Sequence, residues 1–349
     1  MKVVSVVGAR PQFIKAAVLS PRLREVAQEV LVHTGQHYDP EMSAVFFESL
    51  PVPRPDYTLH AGSGSHGVQT GRMLEALDPI LQKEAPNWVI VYGDTNSTLA
   101  GALAAAKMQI PVAHVESGLR SFNRAMPEEI NRVVADHLAT RLYCPTQQAV
   151  DNLGREGIRQ GVVLSGDLMD VLVDRTPDDP AVFSRYPVQP GRYVLATVHR
   201  AQTTDDAMSL QSVLGALGQL PYPVLLPLHP RTRQKIAQFG LEGLLARSVI
   251  PVPAVGYREM ITLERHAWAV VTDSGGVQRE ACRLGVPTYI LREETEWGEL
   301  VDTGQAVLTG CDPHRIVRAV TEGQARPHSL AGLADPVRLI IDDLLREEL

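Results

Sequence analysis

The sequence predicts an α/β protein with two Rossmann-like, doubly wound parallel-sheet domains. Short apolar runs alternate with helical patterns, and several runs are continuously apolar, as expected of strands buried on both faces. The alternation lapses once, over the Pro- and Asp-rich residues 174–192, and then resumes. A chain of 349 residues is long enough for two domains at roughly 150 residues each.

The first series of strands and helices fills the N-terminal half. Its predicted strands are Val3–Val7, Val30–His33, Trp88–Tyr92, Val112–Val115, Leu142–Cys144 and Val162–Leu164. The clearest helical patterns between them are Gln69–Lys83, Ser97–Lys107 and Pro127–Leu138. Strands that alternate with helices in this way predict βαβ units and hence a parallel sheet.

A second series of the same kind follows the lapse. Its predicted strands are Tyr193–Val198, Val224–Leu228, Val249–Val252, Ala269–Thr272 and Thr288–Leu291. We therefore predict an N-terminal domain over residues 1–170 and a C-terminal domain over 171–335. The last helix, within 336–349, is expected to pack back on the first domain.

Composition excludes several classes of protein. Apolar residues make up 44% and charged residues 21%, which argues against a mainly disordered chain. The net charge of -7 gives no reason to expect a nucleic-acid partner. No run approaches the ~18 apolar residues of a membrane span, so no membrane partner is expected either. Three cysteines without CxxC spacing predict a reducing, cytoplasmic location and no cysteine-built metal site.

Ligands of parallel sheets bind at the carboxyl ends of strands, so the residues after each strand are the candidate site. Arg10 and Lys15 follow the first strand, near a helix N-terminus whose N–H groups favour anions. The alternative is a surface arginine and a solvated lysine. No GxGxxG motif is present, so a nicotinamide cofactor is not expected.

Three carboxylates occupy similar positions in the first domain. Asp94 and Glu116 each follow a strand, and Glu128 lies at the start of a helix. Asp94 has an alternative role as a helix cap, and Glu128 has one as a favourable charge in a first turn. Carboxylates that converge raise one another's pKa values and so create proton donors and acceptors.

The second domain carries a predicted phosphate-binding edge. His199 and His229 end successive strands, and each is followed at once or within two residues by an arginine. Ser274-Gly275-Gly276 then joins a strand directly to a helix, where backbone N–H groups can bind a diphosphate. Glu280, one turn into that helix, can accept both hydroxyls of a ribose. The alternative is a tight turn with an exposed glutamate. The histidines do not pair at ligand spacing, so no metal is expected.

Seven motifs spread over nearly the whole chain form one recognisable set. They are Gly-Ala-Arg-Pro-Gln-Phe-Ile-Lys at 8–15, Thr-Gly-Gln-His-Tyr-Asp at 34–39, Gly-Asp-Thr-Asn-Ser-Thr-Leu-Ala-Gly at 93–101, His-Val-Glu-Ser-Gly-Leu-Arg-Ser at 114–121, Met-Pro-Glu-Glu-Ile-Asn-Arg at 126–132, Thr-Asp-Ser-Gly-Gly-Val-Gln-Arg-Glu at 272–280 and Arg-Glu-Glu-Thr-Glu-Trp at 292–297. Together they resemble the non-hydrolysing UDP-N-acetylglucosamine 2-epimerases.

The resemblance implies a GT-B arrangement of the two domains, with a UDP-sugar in the interdomain cleft, a homodimer and no cofactor. It implies interconversion of UDP-N-acetylglucosamine and UDP-N-acetylmannosamine through elimination of UDP, a 2-acetamidoglucal intermediate and re-addition. By motif, the acid/base set is Asp94, Glu116 and Glu128. The groups that face the diphosphate or the leaving oxygen are Arg10, Lys15, His199 and His229, of which His199 is the candidate catalytic one. The phosphate and ribose contacts are Ser274, Gly275, Gly276 and Glu280.

The chain departs from the family pattern in two places. Gln202 stands where a carboxylate is usual, and the residues expected for activation by a second substrate molecule read Gln36-His37-Tyr38-Asp39 and His199-Arg200-Ala201-Gln202. We therefore expect no such activation. Three alternative functions remain open: epimerisation of UDP-2,3-diacetamido-2,3-dideoxy-glucuronate, a GT-B glycosyltransferase, and a non-catalytic UDP-sugar-binding regulator.

Overall fold

The computed structural model describes residues 1–36, 53–245, 248–326 and 335–346. The chain divides into two compact units, Met1–Asp174 with Gly332–Leu349 and Arg175–Ala331. Each unit is built on one parallel sheet with helices between its strands. The prediction of two parallel-sheet α/β domains is therefore confirmed.

The sheet of the first unit has seven strands in the order β3-β2-β1-β4-β5-β6-β7. They are β1 (Lys2–Val7), β2 (Gln28–His33), β3 (Tyr57–Thr58), β4 (Trp88–Tyr92), β5 (Val112–Val115), β6 (Arg141–Cys144) and β7 (Val162–Leu164). Every neighbouring pair is parallel. The carboxyl ends of all seven strands therefore lie along one edge of the sheet.

Seven helices of the described ranges belong to this unit. They are α1 (Arg10–Val26), α2 (His66–Glu84), α3 (Asn96–Lys107), α4 (Pro127–Leu138), α5 (Gln147–Arg155), α6 (Leu168–Arg175) and the last helix, which runs from Pro336 to Arg346. That last helix returns to the first unit, because Asp343 accepts a hydrogen bond from the Tyr143 hydroxyl at 3.0 Å and pairs with Arg141 at 3.2 Å.

The sheet of the second unit has six strands in the order β10-β9-β8-β11-β12-β13. They are β8 (Val194–Thr197), β9 (Val224–Leu228), β10 (Val249–Pro253), β11 (Ala269–Thr272), β12 (Thr288–Ile290) and β13 (Ala306–Leu308). The helices that the structure describes here are α7 (Val182–Arg185), α8 (Ala201–Thr204), α9 (Ala207–Leu217), α10 (Pro230–Phe239), α11 (Tyr257–Arg265), α12 (Gly275–Arg283), α13 (Gly298–Asp302) and α14 (Pro313–Thr321); the last helix of the chain is α15.

Hydrophobic burial explains why the continuous apolar runs became central strands. All five residues of β4 are buried, and all four of β8 are too. The two strands that the sequence did not predict, β3 and β13, have only two and three residues and lie at sheet edges. Among the described residues, no helix is long and apolar enough to cross a membrane.

Candidate active site

The first feature of the candidate site is an ion pair at the carboxyl edge of the first sheet. Nζ of Lys15, on α1, lies 2.8 Å from Oε2 of Glu116, which directly follows β5. The side chains are 4% and 15% exposed. The sequence placed Lys15 towards a diphosphate, whereas the structure places its ammonium group on one of the three predicted carboxylates.

The backbone at Glu116 is strained. Its φ angle is 70°, in the left-handed region that a residue with a side chain seldom adopts. Its N–H and that of Ser117 both donate to the carbonyl of Tyr143, at 3.1 Å each, which holds the chain in this conformation. Gly93, with a φ of 60°, comes so close that a Cβ there would stand 2.9 Å from Oε2 of Glu116. Strain of this kind is concentrated at functional sites.

Burial and neighbouring charges both shift the pKa values of Glu116 and Lys15. Burial raises the pKa of Glu116 to about 7; the charge of Lys15 opposes that shift, and Asp167 and Asp94 add to it. Burial works to lower the pKa of Lys15, but Glu116, Asp167 and Asp94 together raise it above its ordinary value. Glu116 is thus a carboxyl group able to hold or release a proton near neutral pH.

Asp94 has a different environment from Glu116. Its Oδ2 accepts a hydrogen bond from Nη2 of Arg132, on α4, at 2.6 Å, and its carboxylate is about one-third exposed, at 32%. Asp94 does not cap the helix that follows it, because the side chain of Thr95 accepts the N–H groups of Ser97 and Thr98 in that position. The capping alternative for Asp94 is therefore wrong.

Three buried side chains, His114, Asp136 and Arg120, form a network of polar contacts next to this edge of the sheet. His114, in β5, lies with Nδ1 2.7 Å from Oδ1 of Asp136 and Nε2 2.7 Å from the carbonyl of Gly93. Arg120 holds the other oxygen of Asp136 at 2.7 Å. Although burial works to raise it, His114 and Arg120 keep the pKa of Asp136 below its usual range. The network fixes the turn after β4 relative to β5, and so positions Glu116.

Asp167 is a further carboxylate of the candidate site that the sequence analysis missed. It follows β7, is 3% exposed, and its Oδ1 accepts the N–H of Met169 at 2.9 Å. Its charge acts on both Lys15 and Glu116. A signal was present in the sequence: Gly166-Asp167 comes one residue after β7, and the same pair of residue types, Gly93-Asp94, directly follows β4.

Two further predicted residues of the first unit lie at the starts of helices. Arg10 is the first residue of α1. Glu128 is half-buried in the first turn of α4. Within the described part of the chain it makes no hydrogen bond or ion pair. The predicted activator-site residues His37, Tyr38 and Asp39 lie outside the described residues.

In the second unit, a buried aspartate joins the ends of two strands, β11 and β8. Asp273 follows β11, is fully buried, and accepts the backbone N–H groups of His199 and Arg200 at 2.9 Å each. Nδ1 of His199 lies 3.3 Å from the same carboxylate. The rings of His199 and His229 are 5.6 Å apart, and Nδ1 of His229 accepts the N–H of Arg231. The structure thus brings the two predicted histidines together.

The Ser274-Gly275-Gly276 turn begins α12 as predicted from the sequence, with Ser274 in the N-cap position. Gly275, however, is approached by a carboxylate of the protein: a Cβ there would stand only 2.1 Å from Oε1 of Glu296. Arg292 holds the other oxygen of Glu296 at 2.8 Å. At Gly276 the corresponding space is open.

Glu280 lies one turn into α12 and is 6% exposed. The alternative of a tight turn with an exposed glutamate is therefore wrong. In the described ranges, no group of three or more His, Cys, Asp or Glu side chains is arranged to hold a metal ion.

Comparison with known proteins places the chain in a family. Residues 22–336 match the sequence model of the UDP-N-acetylglucosamine 2-epimerase family. The chain is 46% identical over 329 residues to a UDP-N-acetylglucosamine 2-epimerase homolog of Methanococcus maripaludis, covering 92% of each chain. It is also 46% identical over 333 residues to the UDP-2,3-diacetamido-2,3-dideoxy-D-glucuronate 2-epimerase of Pseudomonas aeruginosa, covering 91% of each.

A solved structure agrees with these relatives. The UDP-GlcNAc 2-epimerase of Methanocaldococcus jannaschii, in complex with UDP-GlcNAc and UDP, superposes with a TM-score of 0.89 at 36% identity, covering 99% of this chain and 100% of that one. Fold, motifs and full-length similarity agree, and the chain belongs to the UDP-N-acetylglucosamine 2-epimerase family.

Proposed function

We propose that this chain interconverts UDP-N-acetylglucosamine and UDP-N-acetylmannosamine by elimination and re-addition of UDP. The observation that supports this most directly is the pair of unlike carboxyl groups at one sheet edge. Glu116 is buried against Lys15, whereas Asp94 is partly exposed and bound by Arg132. Burial raises the pKa of Glu116 to about 7, which suits proton transfer near neutral pH, and Asp94 is a second carboxyl group at the same sheet edge.

The chemistry needs two such groups because the configuration at C2 is inverted. One carboxylate removes the C2 proton while the C1–O bond breaks and UDP leaves with its electron pair, in an anti elimination that gives 2-acetamidoglucal. UDP then adds back at C1 as a carboxylic acid on the opposite face donates a proton to C2. Asp94, Glu116 and Glu128 are the proposed set, and groups of this kind contribute ~10²–10⁴-fold each.

The remaining predicted residues bind the nucleotide in this proposal. Ser274, Gly275 and Gly276 present the N-terminus of α12 to the diphosphate, and Glu280 accepts the ribose hydroxyls. His199, His229 and Arg10 stabilise the departing diphosphate by charge and hydrogen bonding. Lys15, which the sequence also placed towards the diphosphate, instead serves Glu116, because its ammonium group is already in contact with that carboxylate.

A second candidate substrate is UDP-2,3-diacetamido-2,3-dideoxy-glucuronate. The similarity to the Pseudomonas aeruginosa enzyme, at 46% identity, favours it. The mechanism is unchanged, since the reacting C1 and C2 atoms are the same and the additional groups lie at C3 and C6. The two substrates therefore share every proposed acid/base residue.

One experiment separates the candidates. The protein is incubated in D₂O with each UDP-sugar and no acceptor, and C2 is followed by proton NMR. Epimerisation with deuterium uptake at C2 supports the proposal and names the substrate. Binding without exchange or epimerisation of either sugar contradicts it and favours the non-catalytic regulator.

Assembly and location are part of the same proposal. A homodimer is supported by exposed apolar side chains of the first unit, among them Phe122 at 69% and Ile130 at 37% exposure. A cytoplasmic location is supported by the three cysteines, all of them free. Light scattering after gel filtration tests the dimer; a monomer at micromolar concentration contradicts it.

A further inference from the structure

Helix α4 carries three buried polar side chains that the proposed acid/base steps do not use. Glu129, Asn131 and Arg132 are 2%, 4% and 2% exposed. A charged side chain buried this deeply is costly unless other groups compensate for it. The partners of these three side chains show what this part of α4 holds in place.

Glu129 anchors the loop that follows β5 and Glu116. Its Oε2 accepts the N–H of Ser121 at 2.9 Å and the Ser121 hydroxyl at 3.0 Å, and its Oε1 accepts the N–H of Phe122 at 3.0 Å. Phe122 has a φ of 60°, in the left-handed region, so these hydrogen bonds hold a strained backbone in place. Nη1 of Arg132, 2.8 Å from Oε2, is a further donor. The carboxylate of Glu129 is therefore fixed by both the loop and its own helix.

Arg132 extends from this anchor to Asp94. Its Nη1 contacts Glu129, and its Nη2 donates to Oδ2 of Asp94 at 2.6 Å. Two nitrogens of one planar guanidinium group thus bind two carboxylates, which sets the distance and the orientation between them. Because Glu129 is fixed, the guanidinium group presents its second nitrogen to Asp94 in one geometry.

The neighbouring residue of α4 holds the backbone of Asp94. Nδ2 of Asn131 donates to the carbonyl of Asp94 at 2.9 Å and to Oδ1 of Asn96 at 3.2 Å. Helix α4 therefore binds both the main chain and the side chain of Asp94. An acid/base group must keep one orientation towards the proton that it transfers, since a misplacement of ~1 Å can cost ~10²-fold in rate.

We propose that Arg132 is a positioning residue of the epimerisation: anchored by Glu129, it orients the Asp94 carboxylate for proton transfer at one face of C2. This inference rests on the proposed function. It gives Arg132 no contact with the substrate, because Arg132 acts through Asp94. The cation in contact with Glu116 is Lys15. Loss of Arg132 should therefore impair the steps that need Asp94 and spare those that need Glu116.

The two faces of C2 can be followed separately, because each epimer loses its C2 proton to a different group. When one base is removed, the epimer that depends on it no longer exchanges its C2 hydrogen with solvent. The other epimer still forms 2-acetamidoglucal and returns to itself with deuterium at C2. The epimer that still exchanges in Asp94→Asn therefore identifies the face that Asp94 does not serve.

The decisive variant is Glu129→Gln/Arg132→Met. It removes both charges of the buried pair together, because Arg132→Met alone would take the guanidinium group from a buried charged carboxylate. Each UDP epimer is incubated separately in D₂O, and C2 is followed by proton NMR. For the epimer that Asp94→Asn fails to exchange we expect ~10²-fold slower exchange, and for the other a rate near that of the wild-type protein. Arg141→Met removes an arginine–aspartate pair at the first residue of β6 and is the matched control, which should leave both rates unchanged.

Slow exchange of the same epimer as in Asp94→Asn supports the proposal, because a merely structural role would slow both epimers alike. Equal slowing of both epimers in the folded double variant, when Asp94→Asn slows only one, overturns it.

Arg132→Lys separates position from charge. It keeps the positive charge, but a single ammonium group cannot bind both carboxylates in the geometry of the guanidinium group. We expect its exchange rates to lie closer to those of the double variant than to those of the wild-type protein. Full recovery would show that charge alone suffices and would overturn the positioning role.

A second readout does not need turnover. Crystal structures of the wild-type protein and of the double variant compare the position of the Asp94 carboxylate, which we expect to move. A carboxylate that stays in place overturns the role of Arg132 even if the chain is an epimerase. A displaced carboxylate in a protein that epimerises no UDP-sugar, or in which Asp94→Asn slows both epimers or neither, supports the positioning and rejects the function proposed for Asp94 instead.

Discussion

The carboxylate of Glu296 occupies the space beside Gly275 in which any other residue would carry its Cβ atom, 2.1 Å from Oε1. Glu296 is held there by Arg292 at 2.8 Å and lies 3.8 Å from Nη2 of Arg200. The two glycines that begin α12 are therefore not equivalent. The first accommodates a side chain of the protein, and the second leaves its backbone open.

This difference predicts opposite outcomes for two matched substitutions. Gly275→Ala places a methyl group against Glu296, and we expect it to lower the free energy of unfolding by about 1–3 kcal/mol, as overpacking does. Gly276→Ala meets nothing within 4 Å and should be neutral or stabilising by up to ~1 kcal/mol, since alanine favours helix over glycine. Urea denaturation measures both. Equal free energies of unfolding for Gly275→Ala and Gly276→Ala would contradict the conclusion that only Gly275 is in close contact with Glu296.

The carboxylate set makes a second prediction. Asp94→Asn, Glu116→Gln and Glu128→Gln should each reduce net epimerisation by orders of magnitude, because a proton must be removed on one face and delivered on the other. At least one variant should still exchange the C2 hydrogen with solvent or release 2-acetamidoglucal and UDP, since half of the reaction survives. Proton NMR in D₂O detects both products. Full activity in all three variants refutes the set.

Glu280→Gln tests the nucleotide site. Contacts to the ribose persist from substrate to transition state, so losing one weakens binding uniformly and raises KM more than it lowers kcat. Steady-state kinetics with the UDP-sugar identified by the NMR assay measures the changes in KM and kcat separately. A normal KM with a collapsed kcat would remove Glu280 from the ribose and place it in the chemistry.

Regulation supplies a fourth prediction. Tyr38, Asp39 and Ala201 stand where the activator-site pattern of bacterial relatives has other residues. We therefore expect hyperbolic kinetics in UDP-N-acetylglucosamine, and a reverse reaction that proceeds without it. A Hill coefficient clearly above one, or a reverse reaction that starts only after UDP-N-acetylglucosamine is added, would show that a second site operates.

The network beneath Glu116 gives a prediction about stability. The pKa of Asp136 is lowered in the folded state, so its ion pairs stabilise the fold fully above the unfolded value of ~3.9, and that stability is lost as pH falls through the folded pKa. Asp136→Ala leaves His114 and Arg120 without their buried partner and should cost about 3–5 kcal/mol at pH 7. Urea denaturation between pH 3 and pH 7 should show that the difference in free energy of unfolding between the wild-type protein and Asp136→Ala becomes smaller as the pH falls. If that difference did not change with pH, the conclusion that Asp136 is ionised in the folded protein would be contradicted.

Much of the fold could be predicted from local sequence. The runs of β4, β5, β7, β9 and β11 have the bounds that the sequence predicts. Every residue of β4, β5 and β11 is buried, and strands buried on both faces are largely apolar. The short edge strands β3 and β13 could not be predicted in this way. They have only two and three residues and are partly exposed at the edges of their sheets.

Residue types and positions at strand ends also located most candidate site residues, including Asp94, Glu116, His199 and the Ser274-Gly275-Gly276 turn. Contacts among those residues required the tertiary structure. Lys15 on α1 and Glu116 after β5 are distant in sequence, and only folding brings their charged groups to 2.8 Å. A sequence determines which groups can ionise, but the protonation of each depends on burial and on charges that folding brings near. For this chain, sequence therefore determined which carboxyl groups follow the strands of the first sheet, and tertiary structure decided that Glu116 is the one buried against Lys15.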